Sequence, residues 1–239
     1  MDRIIADIRQ SLRENTDEKT VLTGRHFFKE EIDFYGVRVP VVHKIARKYF
    51  ARVKNRPKGE IFDLCGQLWQ SGKNEEHYIA CDWSYWISAR YEPDDFEVFD
   101  RWLNRYVNNW ASCDTLCNHT VGEFVERFPQ YVRRLKEWAR SDNRWVKRGG
   151  AVTLIIPARK GLFLNDTFEI ADLLLTDPDD LVQKGYGWML KAASESHPRE
   201  VFEYVMSKKA VMPRTALRYA IEKLPPEMRA KAMEKEMKA

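Results

Sequence analysis

An internal repeat of about 35 residues constrains the fold of this 239-residue chain more than any other feature. One helix pair cannot bury its apolar face unless a neighbouring pair stacks on it, so the repeat predicts stacked helix pairs. The interval is somewhat shorter than the ~40–47 residues usual for HEAT repeats, and the Trp-Leu-Gly-Tyr pattern of the ~34-residue tetratricopeptide repeat is absent. The aligned positions, 36, 34, 35 and 36 residues apart, are Pro40-Val41, Glu76-His77, Trp110-Ala111, Trp145-Val146 and Leu181-Val182.

The predicted fold class is therefore all-α, a right-handed α-solenoid of HEAT-like helical repeats. We expect a single domain over residues 1–239, with residues 230–239 as a frayed tail. Apolar residues recur at three- and four-residue intervals, and the 11 glycines and 10 prolines are scattered singly. Pro40 suits a first helical turn, whereas Ser71-Gly72 ends a helix. Further helices are predicted to open at Ser141-Asp142 and Thr176-Asp177.

Composition and motifs exclude several classes of protein. The net charge of +4, from 40 basic and 36 acidic residues, supports only weak affinity for polyanions. No run approaches the ~18 apolar residues of a membrane helix, and the amino terminus MDRIIADIRQ is charged where a secretion signal would be apolar. We therefore expect a cytoplasmic protein. The sequence contains no Gly-rich phosphate loop, HExxH helix or GxSxG elbow.

The four cysteines lie in apolar, helix-like stretches, so we expect free thiols rather than disulfides. Cys113 and Cys117, with His119 nearby, raise the alternative of a zinc site. That alternative lacks a second CxxC pair and a fourth ligand, so buried helix cysteines are favoured and no metal is expected. The complete set is Cys65, Cys81, Cys113 and Cys117.

Cationic residues recur at one position of the repeat. Arg148 matches Lys184 in the aligned segments, and Arg218 follows 34 residues after Lys184. A solvated helix face would explain each cation separately. Their common register instead favours phosphate binding along one surface.

Trp110 and Asp114 are four positions apart, so on a helix an indole and a carboxylate project from the same face. An aromatic face attracts a cation, and a carboxylate beside it stabilises developing positive charge or orients water. Tryptophan on a helix more often packs in the core, and this alternative stays open for any single tryptophan. The tryptophans interpreted as packing residues are Trp83, Trp86, Trp138 and Trp145.

Four segments carry a family resemblance that runs from about Phe27 to Arg218. They are FYGVRVP at 34–40, NWASCD at 109–114, SDNRWVKR at 141–148 and KGYGWML at 184–190. With these segments the chain resembles the AlkD-like bacterial DNA alkylation repair glycosylases, which are built from HEAT-like helix pairs. Members of that family contact chiefly the DNA backbone and leave the modified base stacked or solvent-facing, so bulky adducts are expected to be tolerated.

The resemblance implies hydrolysis of the N-glycosidic bond of cationic N3- or N7-alkylated purines, such as 3-methyladenine and 7-methylguanine, in double-stranded DNA. It implies a monofunctional base excision repair enzyme without a lysine nucleophile, metal or organic cofactor. Separately from the resemblance, we expect a monomer with no membrane partner. Trp110 and Asp114 would flank the sugar of the lesion, and Trp188 would complete the cleft. Arg148 would hold backbone phosphate, and further DNA contacts are assigned to Lys184, Arg218 and Phe27.

Two departures from the family pattern stand out. Phe27 replaces an aromatic residue that carries a hydroxyl, so one hydrogen bond to DNA is expected to be absent. Gly149-Gly150 replaces the small alanines of the family, and each glycine within a helix costs roughly 1 kcal/mol of stability relative to alanine. Either close approach to DNA or helix packing would explain the two glycines. Two other functions stay open: a non-catalytic binder of DNA structures and a protein-binding scaffold. Both tryptophans and the aspartate favour the glycosylase.

Overall fold

The computed structural model describes residues 3–27 and 31–234, without the side chains of 25–27. Within this part of the chain every regular element is helical, and the one extended pairing is an isolated bridge between Asp33 and Lys73. The predicted all-α class is confirmed. Contacts divide the chain into two compact units, Met1–Phe124 and Val125–Ala239, called here the amino-terminal and carboxyl-terminal units. The single continuous domain stays a prediction.

The amino-terminal unit consists of helix pairs in two layers. One layer contains α1, α4 and α6, and the other contains α3, α5 and α7, with α4 packed along α5. Short 3-10 turns lie at Ser88–Arg90 and Pro93–Asp95, and a π-helical segment at Leu116–Val121 continues α7. The helices are α1 (Arg3–Glu14), α2 (Glu18–Phe27), α3 (Val39–Phe50), α4 (Lys58–Trp69), α5 (Asn74–Trp86), α6 (Phe96–Arg105) and α7 (Trp110–Thr115), and α8 (Gly122–Arg127) includes the boundary between the units.

Aromatic side chains fill the core of this unit. Phe62 meets Phe99 edge-on at 5.7 Å between ring centroids, which packs α4 against α6. Trp83 is fully buried, and its indole nitrogen donates to the Ala46 carbonyl at 3.0 Å, tying α5 to α3. Trp86 packs edge-on against Phe50 at 5.1 Å. Trp83 and Trp86 therefore pack between helices, as the sequence predicts.

The segment before α3 is anchored by two buried glutamates of α5. The Glu75 carboxylate accepts from the backbone N–H groups of Tyr35, Gly36 and Val37 at 2.8 to 3.0 Å. The adjacent Glu76 accepts from the Tyr35 hydroxyl at 2.7 Å and pairs with a guanidinium of α1 at 3.0 Å. Gly36 has φ +84°, a conformation that favours glycine. The FYGVRVP segment is thus fixed to α5 through its backbone.

The carboxyl-terminal unit repeats the two-layer arrangement. Its first layer contains α9, α12 and α14, and its second contains α10, α13 and α15. Phe168 of α12 stacks on Tyr204 of α14 at 4.6 Å, within the first layer. The helices are α9 (Val132–Trp138), α10 (Arg144–Val152), α11 (Ile155–Arg159), α12 (Leu164–Leu174), α13 (Asp180–Ala193), α14 (Pro198–Lys208), α15 (Arg214–Ala220) and α16 (Pro226–Met233).

Two glycines bring helices of this unit into close contact. A Cβ at Gly150 would lie 2.8 Å from the Leu135 carbonyl oxygen and 3.1 Å from the Ala139 nitrogen, both on the backbone at α9. A Cβ at Gly187 would lie 2.7 Å from Cβ of Tyr219. Of the two explanations left open for Gly149-Gly150, this geometry favours helix packing for Gly150. Trp138 and Trp145 are also buried, which agrees with their interpretation as packing residues.

The helix caps of the second layers confirm the repeat. They stand 35, 36, 34, 36 and 34 residues apart along the chain, across both units. The alignment at Pro40, Glu76 and Trp110 was offset by up to two residues, because Trp110 is the first residue of its helix and Glu76 is the third. The caps are Arg38, Lys73, Asn109, Asn143, Asp179 and Pro213.

The predicted openings at Ser141-Asp142 and Thr176-Asp177 were wrong by one to three residues. The capping oxygens belong to Asn143, which accepts from the backbone N–H of Trp145, and to Asp179, which accepts from that of Leu181, both at 2.9 Å. Ser141 and Asp177 instead accept from the backbone N–H of the cap itself, at 3.1 and 2.9 Å. A side-chain oxygen two residues before each cap thus orients the cap by accepting a hydrogen bond from its backbone N–H.

Other predictions concern the cysteines and the chain ends. All four cysteines are buried free thiols, as expected. Among the described residues, no helix combines the length and the apolar character needed to cross a membrane. The predicted frayed tail is helical as far as Met233, and residues 235–239 lie outside the described part.

Candidate functional site

Trp110 and Asp114 lie one turn apart on α7 in the amino-terminal unit. Asn109 caps this helix by accepting from the backbone N–H of Ser112 at 2.9 Å. Trp110 is the first helical residue and is half-buried, whereas Asp114 is 8% exposed. The indole and the carboxylate therefore share one short helical turn whose start is fixed by a side-chain cap.

A buried polar network holds this turn on α5. The Asn109 amide donates to Asn74 Oδ1 at 3.3 Å and to the Ser112 hydroxyl at 3.0 Å. The Ser112 hydroxyl lies 2.9 Å from Asn74 Oδ1 and 3.2 Å from Nδ1 of His77. All four residues are at least nine-tenths buried, so the network restricts how the turn can move. The network was not predicted from the sequence.

His77 is the one member of this network that can titrate, and it is neutral. Burial lowers the pKa of His77 to about 4, and the hydrogen bond to the Trp69 carbonyl opposes this shift. Because a carbonyl only accepts, the ring nitrogen Nε2 of His77, 3.2 Å from that oxygen, carries the proton. The Trp69 and His77 rings lie 4.5 Å apart. The support beneath Trp110 therefore carries no charge at neutral pH.

Asp114 occupies a defined position on the second layer of this unit. It stands five residues after its cap, as do Tyr78 after Lys73 and His43 after Arg38. Burial raises the pKa of Tyr78, the nearby charges of Glu75 and Asp114 raise it further, and a hydrogen bond with Asn74 opposes them. Asp114 and Tyr78 are thus electrostatic neighbours on one face.

The predicted cations occupy the matching position in the carboxyl-terminal unit. Arg148, Lys184 and Arg218 each stand five residues after a cap, so their common register is observed. Arg148 is only 5% exposed, and its guanidinium donates to the Leu181 carbonyl between α10 and α13. Gly185 makes room for it, since a Cβ there would lie 3.3 Å from Cγ of Arg148.

The remaining cations of α10 and α13 are paired with acids. Lys184 forms an ion pair with Asp180 at 2.9 Å. Arg218, which lies on α15, is exposed. Trp188 is half-buried, one turn beyond Lys184. Phosphate binding by Arg148, Lys184 and Arg218 stays a prediction. The other pairs are Arg144 with Asp179, Lys147 with Asp177, and Lys191 with Glu222.

Two further expectations concern Phe27 and a metal. Phe27 is the last residue of α2, and its side chain lies outside the described part of the structure. Within the described residues, no group of three or more histidines, cysteines and acids could hold a metal ion. Cys113 and Cys117 are fully buried in helical packing, whereas His119 is exposed. Both cysteines therefore match the interpretation as buried helix residues.

The stacked helix pairs define a helical-repeat protein. Its candidate site is the turn of α7 that carries Trp110 and Asp114 and is held by the buried polar network. The family model for the DNA alkylation repair enzymes matches residues 8–224, so the chain belongs to that family and has a role in DNA repair. It is similar in structure to a predicted DNA alkylation repair enzyme from Enterococcus faecalis, with a TM-score of 0.79. The two are 17% identical over 89% of this chain and 98% of that one, so the likeness shows the fold. None of the curated proteins compared with the chain matches it.

Proposed function

We propose that this chain is a monofunctional DNA glycosylase that releases cationic N3- or N7-alkylated purines from double-stranded DNA. The observation that carries the proposal is the pair of Trp110 and Asp114 on one capped turn of α7. The buried network of Asn74, His77 and Ser112 gives that pair the fixed support a catalytic turn needs.

The chemistry of a cationic base matches an indole and a carboxylate. When the bond between C1′ and the base nitrogen breaks, its electron pair moves to the base and cancels the positive charge. The base therefore leaves without needing a strong acid, and the sugar becomes oxocarbenium-like. Water then adds to C1′ and loses a proton. In this proposal the Asp114 carboxylate stabilises the cationic sugar and orients the water, and the Trp110 face adds a cation–π attraction.

The carboxyl-terminal unit contributes an aromatic group and phosphate contacts in this proposal. Trp188 flanks the lesion, Arg148 binds backbone phosphate, and Lys184 and Arg218 add further contacts. Phosphate contacts position a duplex without reading its sequence, which suits an enzyme that acts on lesions in any sequence. The product is an abasic site in intact DNA.

The test is base release by Asp114→Asn. This substitution keeps the size of the side chain but removes its charge, so we expect release of 7-methylguanine from methylated duplex to fall by at least about 100-fold. Duplex affinity, measured by fluorescence anisotropy, should stay close to that of the wild type. Asp94→Asn, at an exposed acid of the same unit, is the matched control and should retain full activity. Wild-type excision by Asp114→Asn would refute the assignment.

The same assay separates the two other functions. A wild-type protein that binds duplex DNA in a salt-sensitive manner but releases no alkylated base is a non-catalytic DNA binder. A wild-type protein that neither binds duplex DNA nor releases base is better explained as a protein-binding scaffold.

A further inference from the structure

A cavity of about 230 Å³ lies in the amino-terminal unit, between α3, α5 and the helix that begins at α7. Its wall carries two histidines, a carboxylate and a guanidinium, none of which has a role in the mechanism proposed above. Thr115, the residue after Asp114, forms part of this wall. His43 stands five residues after its cap, the same position as Asp114. The cavity therefore lies beside the helical turn that carries Asp114.

A histidine–carboxylate pair forms part of the cavity wall. Nδ1 of His43 lies 2.6 Å from Oδ2 of Asp82, and the Asp82 side chain is 15% exposed. Burial raises the pKa of Asp82, an effect opposed by the hydrogen bond with His43 and by nearby positive charge. Because a carboxylate accepts, Nδ1 carries a proton, and Nε2 is the nitrogen left for a ligand. A protonated ring presents Nε2–H as a donor.

The other groups around His43 determine the charge of the cavity. Arg47, one turn along α3, is exposed, and on α5 the buried Cys81 thiol is neutral because burial raises its pKa. On the π-helical segment, the His119 ring lies 5.5 Å from the Tyr85 ring. Partial desolvation of the ring lowers the pKa of His119, the charge of Asp82 opposes this shift, and His43 adds to it.

The formal charge of the cavity therefore depends on pH. When both histidines are neutral, the positive charge of Arg47 and the negative charge of Asp82 cancel. Protonation of His43 gives +1, and protonation of His119 as well gives +2. A cavity that becomes cationic on protonation, with a guanidinium and an imidazole N–H available as donors, suits a phosphate anion.

We propose that the His43 cavity is a proton-dependent site for a backbone phosphate of duplex DNA, beside Asp114. In this site a phosphate oxygen accepts from Nε2–H of His43 and from the Arg47 guanidinium, while Asp82 keeps its hydrogen bond to Nδ1. Binding of the phosphate is coupled to uptake of one proton by His43. The inference rests on the proposed function, because it takes duplex DNA as the ligand.

The experiment measures the affinity for an unmodified duplex by fluorescence anisotropy, between pH 5.5 and 8.5 at constant ionic strength. One coupled proton strengthens binding by up to about tenfold for each unit by which the pH falls. We expect His43→Gln to lose most of this dependence and to bind at pH 5.5 as weakly as the wild type does at pH 8.5. His197→Gln, on the carboxyl-terminal unit, is the matched control and should keep the wild-type dependence.

Two further variants separate phosphate binding from a structural role. Asp82→Asn removes the carboxylate that stabilises the imidazolium, so we expect weaker binding at pH 5.5 and little change at pH 8.5. Arg47→Gln should weaken binding at every pH. It should also reduce the slope of log affinity against log salt concentration by about one, which corresponds to the loss of one phosphate contact. Urea unfolding of each variant confirms that it is folded at the temperature of the binding measurement.

The outcomes are distinct from those for the glycosylase. If His43→Gln keeps the wild-type pH dependence while the wild type releases 7-methylguanine, the phosphate site is refuted and the proposed function stands. If the pH dependence requires His43 but the wild type releases no alkylated base, the phosphate site stands and the glycosylase is refuted. Absence of duplex binding at every pH refutes the phosphate site, and absence of base release as well refutes both.

Discussion

Replacement of Gly150 by alanine tests whether this glycine serves helix packing or close approach to DNA. A Cβ at Gly150 would lie 2.8 Å from the Leu135 carbonyl oxygen and 3.1 Å from the Ala139 nitrogen. These two backbone atoms are hydrogen-bonded to each other at 2.9 Å, so neither can move independently of α9. Gly66, inside α4, is the matched control, because an added Cβ there would meet no described atom within 4 Å beyond its own helix backbone.

The expected changes in the free energy of unfolding have opposite signs at the two glycines. Alanine gains about 1 kcal/mol over glycine in a helix interior, and Gly66→Ala should be stabilised by about that amount. Overpacking costs about 1–3 kcal/mol. At Gly150 the clash is with backbone rather than with a flexible side chain, so we take about 2–3 kcal/mol from that range. Subtracting the helix gain leaves Gly150→Ala about 1–2 kcal/mol less stable than the wild type.

The assay is urea unfolding followed by far-ultraviolet circular dichroism, with duplex affinity measured on the folded proteins. We expect the free energies of unfolding of the two variants to differ by about 2–3 kcal/mol. Folded Gly150→Ala should bind duplex DNA as the wild type does. If Gly150→Ala is as stable as Gly66→Ala, the packing argument is refuted. A stable Gly150→Ala that has lost DNA affinity would assign the glycine to DNA approach.

Two further predictions concern buried polar groups of α5. Glu75→Gln removes the acceptor of the Tyr35 N–H and should destabilise the protein by about 1–3 kcal/mol. Glu75→Ala, which removes the acceptor of all three N–H groups, should destabilise it more, and equal urea midpoints for wild type and Glu75→Ala would contradict this anchoring role. The His77 pKa of about 4, against an ordinary 6.5, means that the unfolded chain takes up a proton that the folded chain does not. Stability should therefore fall by about 3 kcal/mol as the pH falls from 6.5 to 4, and an unaltered pH dependence of unfolding in folded His77→Gln would contradict the assignment.

The repeat and its helices could be predicted because caps and apolar spacing are local signals. The exact helix starts could not. Ser141 and Asn143 are both good capping residues two positions apart, as are Asp177 and Asp179, and local sequence does not rank them. In the structure the second residue of each pair caps the helix and the first binds the backbone N–H of that cap. The start of a helix was therefore correct only to within a few residues.

The candidate site was predictable for residues on one helix and not for contacts between helices. Trp110 and Asp114 follow from a spacing of four, whereas the support from Asn74 and His77 comes from a helix about 35 residues earlier. Arg148 was predicted as one of a row of cations that bind phosphate along one surface. Its burial depends on the glycine at 185 and on the Leu181 carbonyl, which no pattern around Arg148 reveals.

The acids beside the cations of α13 have a consequence for the proposed binding of DNA phosphate. A phosphate that approached Lys184 or Lys191 would have to replace Asp180 or Glu222 rather than water, so the net attraction at each contact would be small. When the phosphate left, the carboxylate would pair with the lysine again. In the proposed function, this surface would therefore bind undamaged duplex weakly, release it quickly and favour rapid movement between sites on DNA.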